Sequence, residues 1–194
     1  GFRRIPVPSG YTAEEYAAEL RSLPGFVSVV PDARAYAAAL PDDPLFPANQ
    51  AAYLGLIKAP GAWDLSTGAA HEVIVAVLDS GMDTRHPELS SRLWENTRDA
   101  SRDGIDDDNN GYVDDYGGWD VQNDGDGTGN NGTHGTAIAG IIGARGNNVM
   151  GVTGVNWNVQ LMGISNVVFE DEVIAAYNFA ADARRLYNQT NGLK

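Results

Sequence analysis

The stretch Glu72-Val73-Ile74-Val75-Ala76-Val77-Leu78-Asp79-Ser80-Gly81-Met82-Asp83 decides the fold. Its six apolar residues, Val73 to Leu78, are mostly β-branched. They read as a strand buried on both faces, the pattern of a central parallel strand in an α/β sheet. The run stops on Asp79 followed by Ser80-Gly81, so a carboxylate stands at the carboxyl end of the strand, where open α/β sheets place their ligands. Alone, an acid there is compatible with a structural role. A second stretch shifts the reading: Asn131-Gly132-Thr133-His134-Gly135-Thr136-Ala137-Ile138-Ala139-Gly140-Ile141-Ile142-Gly143 sets His134 at the mouth of an apolar, small-residue helix.

Composition narrows the function classes. With 26 acids against 13 bases the net charge of −13 disfavours nucleic acid and anionic membrane surfaces as partners. No cysteine is present, which excludes disulfides, thiol catalysis and Cys-ligated zinc and leaves the redox compartment open. No apolar run approaches the roughly 20 residues of a membrane span. The chain opens Gly-Phe-Arg-Arg-Ile-Pro, without an apolar signal region or Met, and reads as the middle of a longer precursor cut at both ends. Acidity is concentrated: 10 aspartates lie between Asp99 and Asp126, and clustered hard oxygen donors mean a solvated loop or calcium.

Val75-Ala76-Val77-Leu78-Asp79-Ser80-Gly81 and His134-Gly135-Thr136-Ala137-Ile138-Ala139-Gly140 resemble the aspartate and histidine motifs of the subtilisin-like serine peptidases (subtilases), in the family's order. The resemblance implies an α/β fold, a mostly parallel sheet flanked by helices, here partial. It implies a secreted endopeptidase in which Asp79 orients His134 and His134 takes the serine proton, then protonates the leaving amine. The third motif, a Gly-Thr-Ser-Met-Ala-like turn with the nucleophile, is absent from the 194 residues, as is the family's oxyanion-hole Asn. Ser66, Ser80, Ser90, Ser91 and Ser165 offer no convincing substitute. The expectation is therefore a chain with two of three triad members and little peptidase activity alone. Two alternatives stay open: a non-catalytic calcium-binding module, and an enzyme of two chains with the serine supplied by a partner.

Along the chain, Phe2 to Val7 is a strand candidate, Thr12 with Glu15 forms a capping box that opens a helix, and Phe26 to Val30 is a second strand candidate. Residues 1–40 are similar to the tail of a subtilase prodomain plus a junction, which would act as an intramolecular inhibitor. Residues 41–194 resemble the first part of the catalytic domain that would take a polypeptide substrate. Pro60 suits the first turn of a helix ending near Trp63, and Gly68 closes it. His86 precedes Pro87 and reads as structural, and His71 needs no special role. Val159 to Ile164 is a further strand. Glu172 to Tyr187 is a helix with Val173, Ala176, Tyr177, Ala180 and Leu186 on its apolar side.

Three groups of residues are candidate calcium ligands. Asp106, Asp108 and Asn110 fall at positions 1, 3 and 5 of an EF-hand-like loop, with Gly111 at the turn, the Tyr112 carbonyl next and Asp114 or Asp115 to close it; position 12 is Gly117 and no helices flank the loop, so it is not an EF-hand. By resemblance, Asp43, Glu88 and Asn148 would hold a second ion with carbonyls of Arg145, Met150 and Val152. Asp120, Asp124 and Asp126, with Thr128, resemble a third, shortened site.

Overall fold

The computed structural model describes residues 3–31, 39–70, 73–99, 102–126 and 132–190. The chain divides into two compact units, Gly1–Ala37 and Ala38–Lys194. In the first, helix α1 (Ala13–Arg21) starts as the capping box requires: the Thr12 hydroxyl accepts from the Glu15 amide at 3.2 Å, and Glu15 accepts from the Thr12 amide at 2.8 Å. Neither expected strand is present over 3–7 or 26–30. Pro6 removes a ladder donor, and among the described residues of this unit there is no strand to pair with. Arg21 Nε instead holds the second segment by donating to the Val29 carbonyl at 2.7 Å.

In the second unit, a π-helical turn, Phe46–Gln50, leads into α2 (Ala51–Leu56) and α3 (Ala59–Trp63). Lys58 adopts a left-handed conformation between those two helices, and Pro60 stands in the first turn of α3. The sheet consists of β1 (Ile74–Leu78), β2 (Gly118–Asp120) and β3 (Gln160–Ser165), in the order β1-β3-β2 with both pairings parallel. Helix α4 (Thr133–Gly143) follows β2, and α5 (Glu170–Gln189) follows β3. Glu172 caps α5 by accepting from the Val168 and Phe169 amides at 2.7 and 2.8 Å.

Among the described residues β3 is the middle of the three strands. β1 pairs on one side among the described residues and is mostly half-buried, whereas Leu161 to Ser165 are all buried. An apolar run identifies a strand; its place in the sheet depends on which strands pair with it. Side-chain alternation divides the core. Val75, Val77 and Leu161 pack with Met82, Leu89, Ala139 and Ile142 on the α4 side. Ile74, Ala76, Met162 and Ile164 pack with Trp94, Trp119, Ala176 and Phe179 on the α5 side.

The inner face of α5 keeps Ala176 and Ala180 of the expected one and is shifted toward Phe179 and Ala183. Ala176 and Phe179 are buried and Ala180 and Ala183 pack beside them, while Tyr177 is 65% exposed. Aromatic partners decide it: Phe179 meets Trp94, Tyr112 and Trp119 at centroid distances of 6.3, 4.9 and 5.9 Å. Phe179→Ala is expected to cost about 3–5 kcal/mol by emptying that cluster, read as a lowered denaturation midpoint. A loss below about 1 kcal/mol would mean the helix face has been misread.

Candidate active site

Asp79 continues the sheet past β1. Its amide donates to the Ile164 carbonyl at 3.0 Å, and its carbonyl accepts from the Val167 amide at 3.2 Å. The chain then turns at Gly81, whose φ of 109° lies in the region glycine tolerates. Opposite, Gly132 caps α4 and His134 is the helix's second residue. The two motifs meet: His134 Nδ1 lies 2.7 Å from Asp79 Oδ2. The Asp79 side chain is 15% exposed and that of His134 is 75% exposed, so the acid is backed by protein and the base faces outward.

Two glycines bring the helix close enough. A Cβ at Gly135 would collide with the Gly81 carbonyl, and one at Gly132 would lie 2.7 Å from Ser80 Oγ. Ala139 is fully buried and Gly143 abuts Val159, so α4 packs through positions 135, 139 and 143. Of the other small residues, Ala137 is exposed and Gly140 has open space beside it. The Thr136 hydroxyl adds a tie by donating to the Gly132 carbonyl at 2.7 Å and accepting the Asp83 amide at 2.9 Å. Gly135→Ala is expected to destabilise by about 1–3 kcal/mol and to lengthen the Asp79–His134 contact, measurable by melting and by the crystal structure of the variant. An unmoved α4 with an unchanged midpoint would contradict this.

Electrostatics favour an ionised acid. Burial works against the Asp79 carboxylate, but hydrogen bonds from the Ser80 amide, His134 and the Ser80 hydroxyl outweigh it and hold the carboxyl below its usual range. An imidazole with one nitrogen held by a carboxylate and its face open to solvent can accept a proton from a hydroxyl at its other nitrogen. His86 does not take part: its Nδ1 accepts the Glu88 amide at 3.2 Å. Ser80 is engaged with Asp79, and Ser165 is fully buried in β3. His71, Asn131 and Thr128 lie outside the described residues.

The calcium candidates are held in three ways. Among the described residues, no three His, Cys, Asp or Glu side chains form a group placed to hold a metal ion. In the 106–115 loop, Asp106 accepts the Asn110 and Gly111 amides at 3.0 and 2.8 Å, and Asp108 accepts the Asn110 amide at 3.1 Å. Asn110 Oδ1 accepts the Tyr112 amide. The Tyr112 ring packs on Trp119, and its hydroxyl donates to Asp182 at 3.2 Å. Asn96, which the sequence reading passed over, donates from one amide nitrogen to Asp108 at 2.9 Å and to Asp115 at 2.5 Å. Asp99, Asp108 and Asp115 are buried, and Asp99 Oδ1 and Asp114 Oδ1 have no hydrogen-bond partner. Burial pushes the Asp115 carboxyl up to about 7, with Asp108 and Asp99 adding repulsion, and burial likewise raises Asp99. The loop thus gathers buried acid oxygens, two of them without a hydrogen-bond partner.

Asp43 and Glu88, also buried, tie down the 147–152 loop instead. Asp43 accepts from the Asn147 amide at 2.7 Å, Glu88 from the Val152 amide at 3.0 Å, and Asn148 donates its side-chain amide to Glu88 at 3.0 Å. Asp120 and Asp126 have partners within the protein. Asp120 already accepts from the Gln122 and Asn123 amides and from the side-chain amides of Asn123 and Asn166. Asp126 pairs with Arg102 at 2.6 Å, and Asp124 is exposed in a left-handed turn.

A family model described as "Subtilase family" matches residues 70–192. The chain belongs to the subtilase family. Its curated relatives include Subtilisin-like protease 1 of Plasmodium falciparum, 45% identical over 97 residues covering 47% of this subtilase and 14% of the relative. The Plasmodium berghei protein of the same name is 41% identical over 100 residues, 50% of this chain and 16% of the relative. Thermitase of Thermoactinomyces vulgaris is 33% identical over 115 residues, 59% of this chain and 32% of that one. Among solved structures, a protease from Pseudoalteromonas arctica is 26% identical, covers 64% of this chain and 38% of its own, and has a TM-score of 0.44. This subtilase thus spans between one seventh and about two fifths of the proteins it matches.

Proposed function

We propose that this chain carries the acid and the base of a serine endopeptidase that hydrolyses peptide bonds, with Asp79 orienting His134 as general base. The observation that carries the reading is the 2.7 Å contact between Asp79 Oδ2 and His134 Nδ1, at the end of a parallel strand and the start of a helix. In this reading the nucleophilic serine comes from sequence outside the 194 residues. His134 removes its proton as it attacks the scissile carbonyl, and returns that proton to the leaving amine. The substrate is a polypeptide, the place of action extracellular, and residues 1–40 are an inhibitory prodomain segment.

The same reading gives the enzyme calcium for stability, not for chemistry. Asp106, Asp108, Asn110 and Asp115 would hold it in the acidic loop, supported by the buried Asp99, Asp108 and Asp115 carboxyls and by the unpartnered oxygens of Asp99 and Asp114. Asp43, Glu88 and Asn148 are a second candidate set that would first have to release the amides they now hold.

The test is hydrolysis of a peptide amide by the complete enzyme containing this chain. Cleavage is expected, together with its loss in His134→Ala. Full activity in that variant would overturn the assignment. Calcium binding without any cleavage by the complete enzyme would support the non-catalytic module instead.

A further inference from the structure

We propose that Ser80 is a positioning residue that fixes one oxygen of Asp79 so that the other is reserved for His134. The inference rests on the reading of Asp79 and His134 as acid and base. Two donors from Ser80 converge on the same atom: its amide lies 2.7 Å from Asp79 Oδ1 and its hydroxyl 3.0 Å from it. His134 takes Oδ2 at 2.7 Å. The division is complete, one oxygen to the following residue and one to the base.

The physical need is rotational. The last torsion of an aspartate is broad and roughly two-fold, so an unanchored carboxylate samples orientations in which neither oxygen lies on the imidazole N–H axis. The amide alone supplies one restraint, from a direction nearly fixed by the backbone. The hydroxyl adds a second. Gly132 at the mouth of α4 sits so close that a Cβ there would lie 2.7 Å from Ser80 Oγ and 2.5 Å from the Gly81 carbonyl. Ser80 therefore lies between the acid it binds and the helix that carries the base. Its position directly after Asp79 is visible in the sequence; its hydrogen bond is not.

Nuclear magnetic resonance of the 194-residue chain tests this, reading the low-field proton on His134 Nδ1 and the carboxyl carbon titration of Asp79. Ser80→Ala is expected to raise the Asp79 midpoint, because a donor to the ionised form is lost, and to broaden or remove the low-field proton. Ser80→Thr, which keeps a hydroxyl, is expected to restore both. Asp79→Asn separates the two claims. If it abolishes the low-field proton while Ser80→Ala leaves both signals unchanged, the pair stands and the positioning role falls. If it leaves the low-field proton untouched, the pairing itself is wrong and the proposal falls with it. A Ser80→Thr variant as perturbed as Ser80→Ala would mean side-chain packing, not the hydroxyl, and also overturns it. Should Ser80→Ala not fold, the wild-type chain still decides: the Ser80 hydroxyl proton is expected to be protected from exchange above the Asp79 midpoint and to lose that protection below it. Equal exchange across that midpoint would sink the proposal.

Discussion

Asp79→Asn is expected to lower kcat of the complete peptidase by about 10⁴, the loss seen when the acid of a serine-protease triad becomes its amide. Asp83→Asn is expected to have a far smaller effect. The difference follows from contacts. Asp79 Oδ2 is the atom 2.7 Å from His134 Nδ1, whereas the Asp83 carboxylate accepts the Arg85 amide at 3.0 Å. An asparagine at 79 would present either an amide N–H that repels the Nδ1 proton or a carbonyl without the charge that stabilises imidazolium. Steady-state kinetics on a peptide amide measures both variants. Equal losses would place the acid elsewhere.

Stability of the chelator-treated protein is expected to fall as pH rises from about 4 to about 7, with Asp115 as the main cause. Burial, reinforced by Asp108 and Asp99 and opposed by hydrogen bonds from Asn96 and Asn110, pushes its carboxyl from 3.8 up to about 7. A carboxyl raised in the folded state keeps its proton there while the unfolded chain has lost it. Its contribution is therefore fully present below 3.8 and is lost as pH climbs through about 7. Three pH units at about 1.4 kcal/mol each bound the loss near 4 kcal/mol, and solvent screening brings the expected fall to about 2–3 kcal/mol. Asp79 and Asp120, both held low, act in the opposite sense but only below the usual aspartate range. Denaturation midpoints across this window should flatten in Asp115→Asn. Calcium should flatten them too, since a cation favours the ionised carboxyl. An unaltered slope in Asp115→Asn would refute the assignment to this residue, and a slope indifferent to calcium would remove the ion from this loop.

Much of the site was legible because its signals are local. The apolar run ending on Asp79 specified a strand with an acid at its carboxyl end. Small residues after His134 specified a helix whose first turn carries that histidine, and β1 and α4 form as read. The Thr12 capping box needed only three residues of spacing and formed as written. What failed depended on partners distant in sequence. Strands over 3–7 and 26–30 required a partner strand, and none lies among the described residues of their unit. The inner face of α5 turned on Phe179 meeting rings from positions 94, 112 and 119.

By itself the sequence determined a parallel α/β fold, a strand ending on Asp79, a helix opening at His134, and an acidic loop with few compensating bases. These follow from periodicity, residue chemistry and short-range turn geometry, which neighbours along the chain fix. Tertiary structure alone decided that β1 and β2 both pair with β3, because strand order depends on which edges find each other. It also decided that Gly132 and Gly135 set the approach of α4, that Asn96 bridges Asp108 and Asp115, and that Asp120 spends its oxygens on Gln122, Asn123 and Asn166. A carboxylate's partners are whichever donors the fold brings within about 3 Å, and that distance is not written in the order of residues.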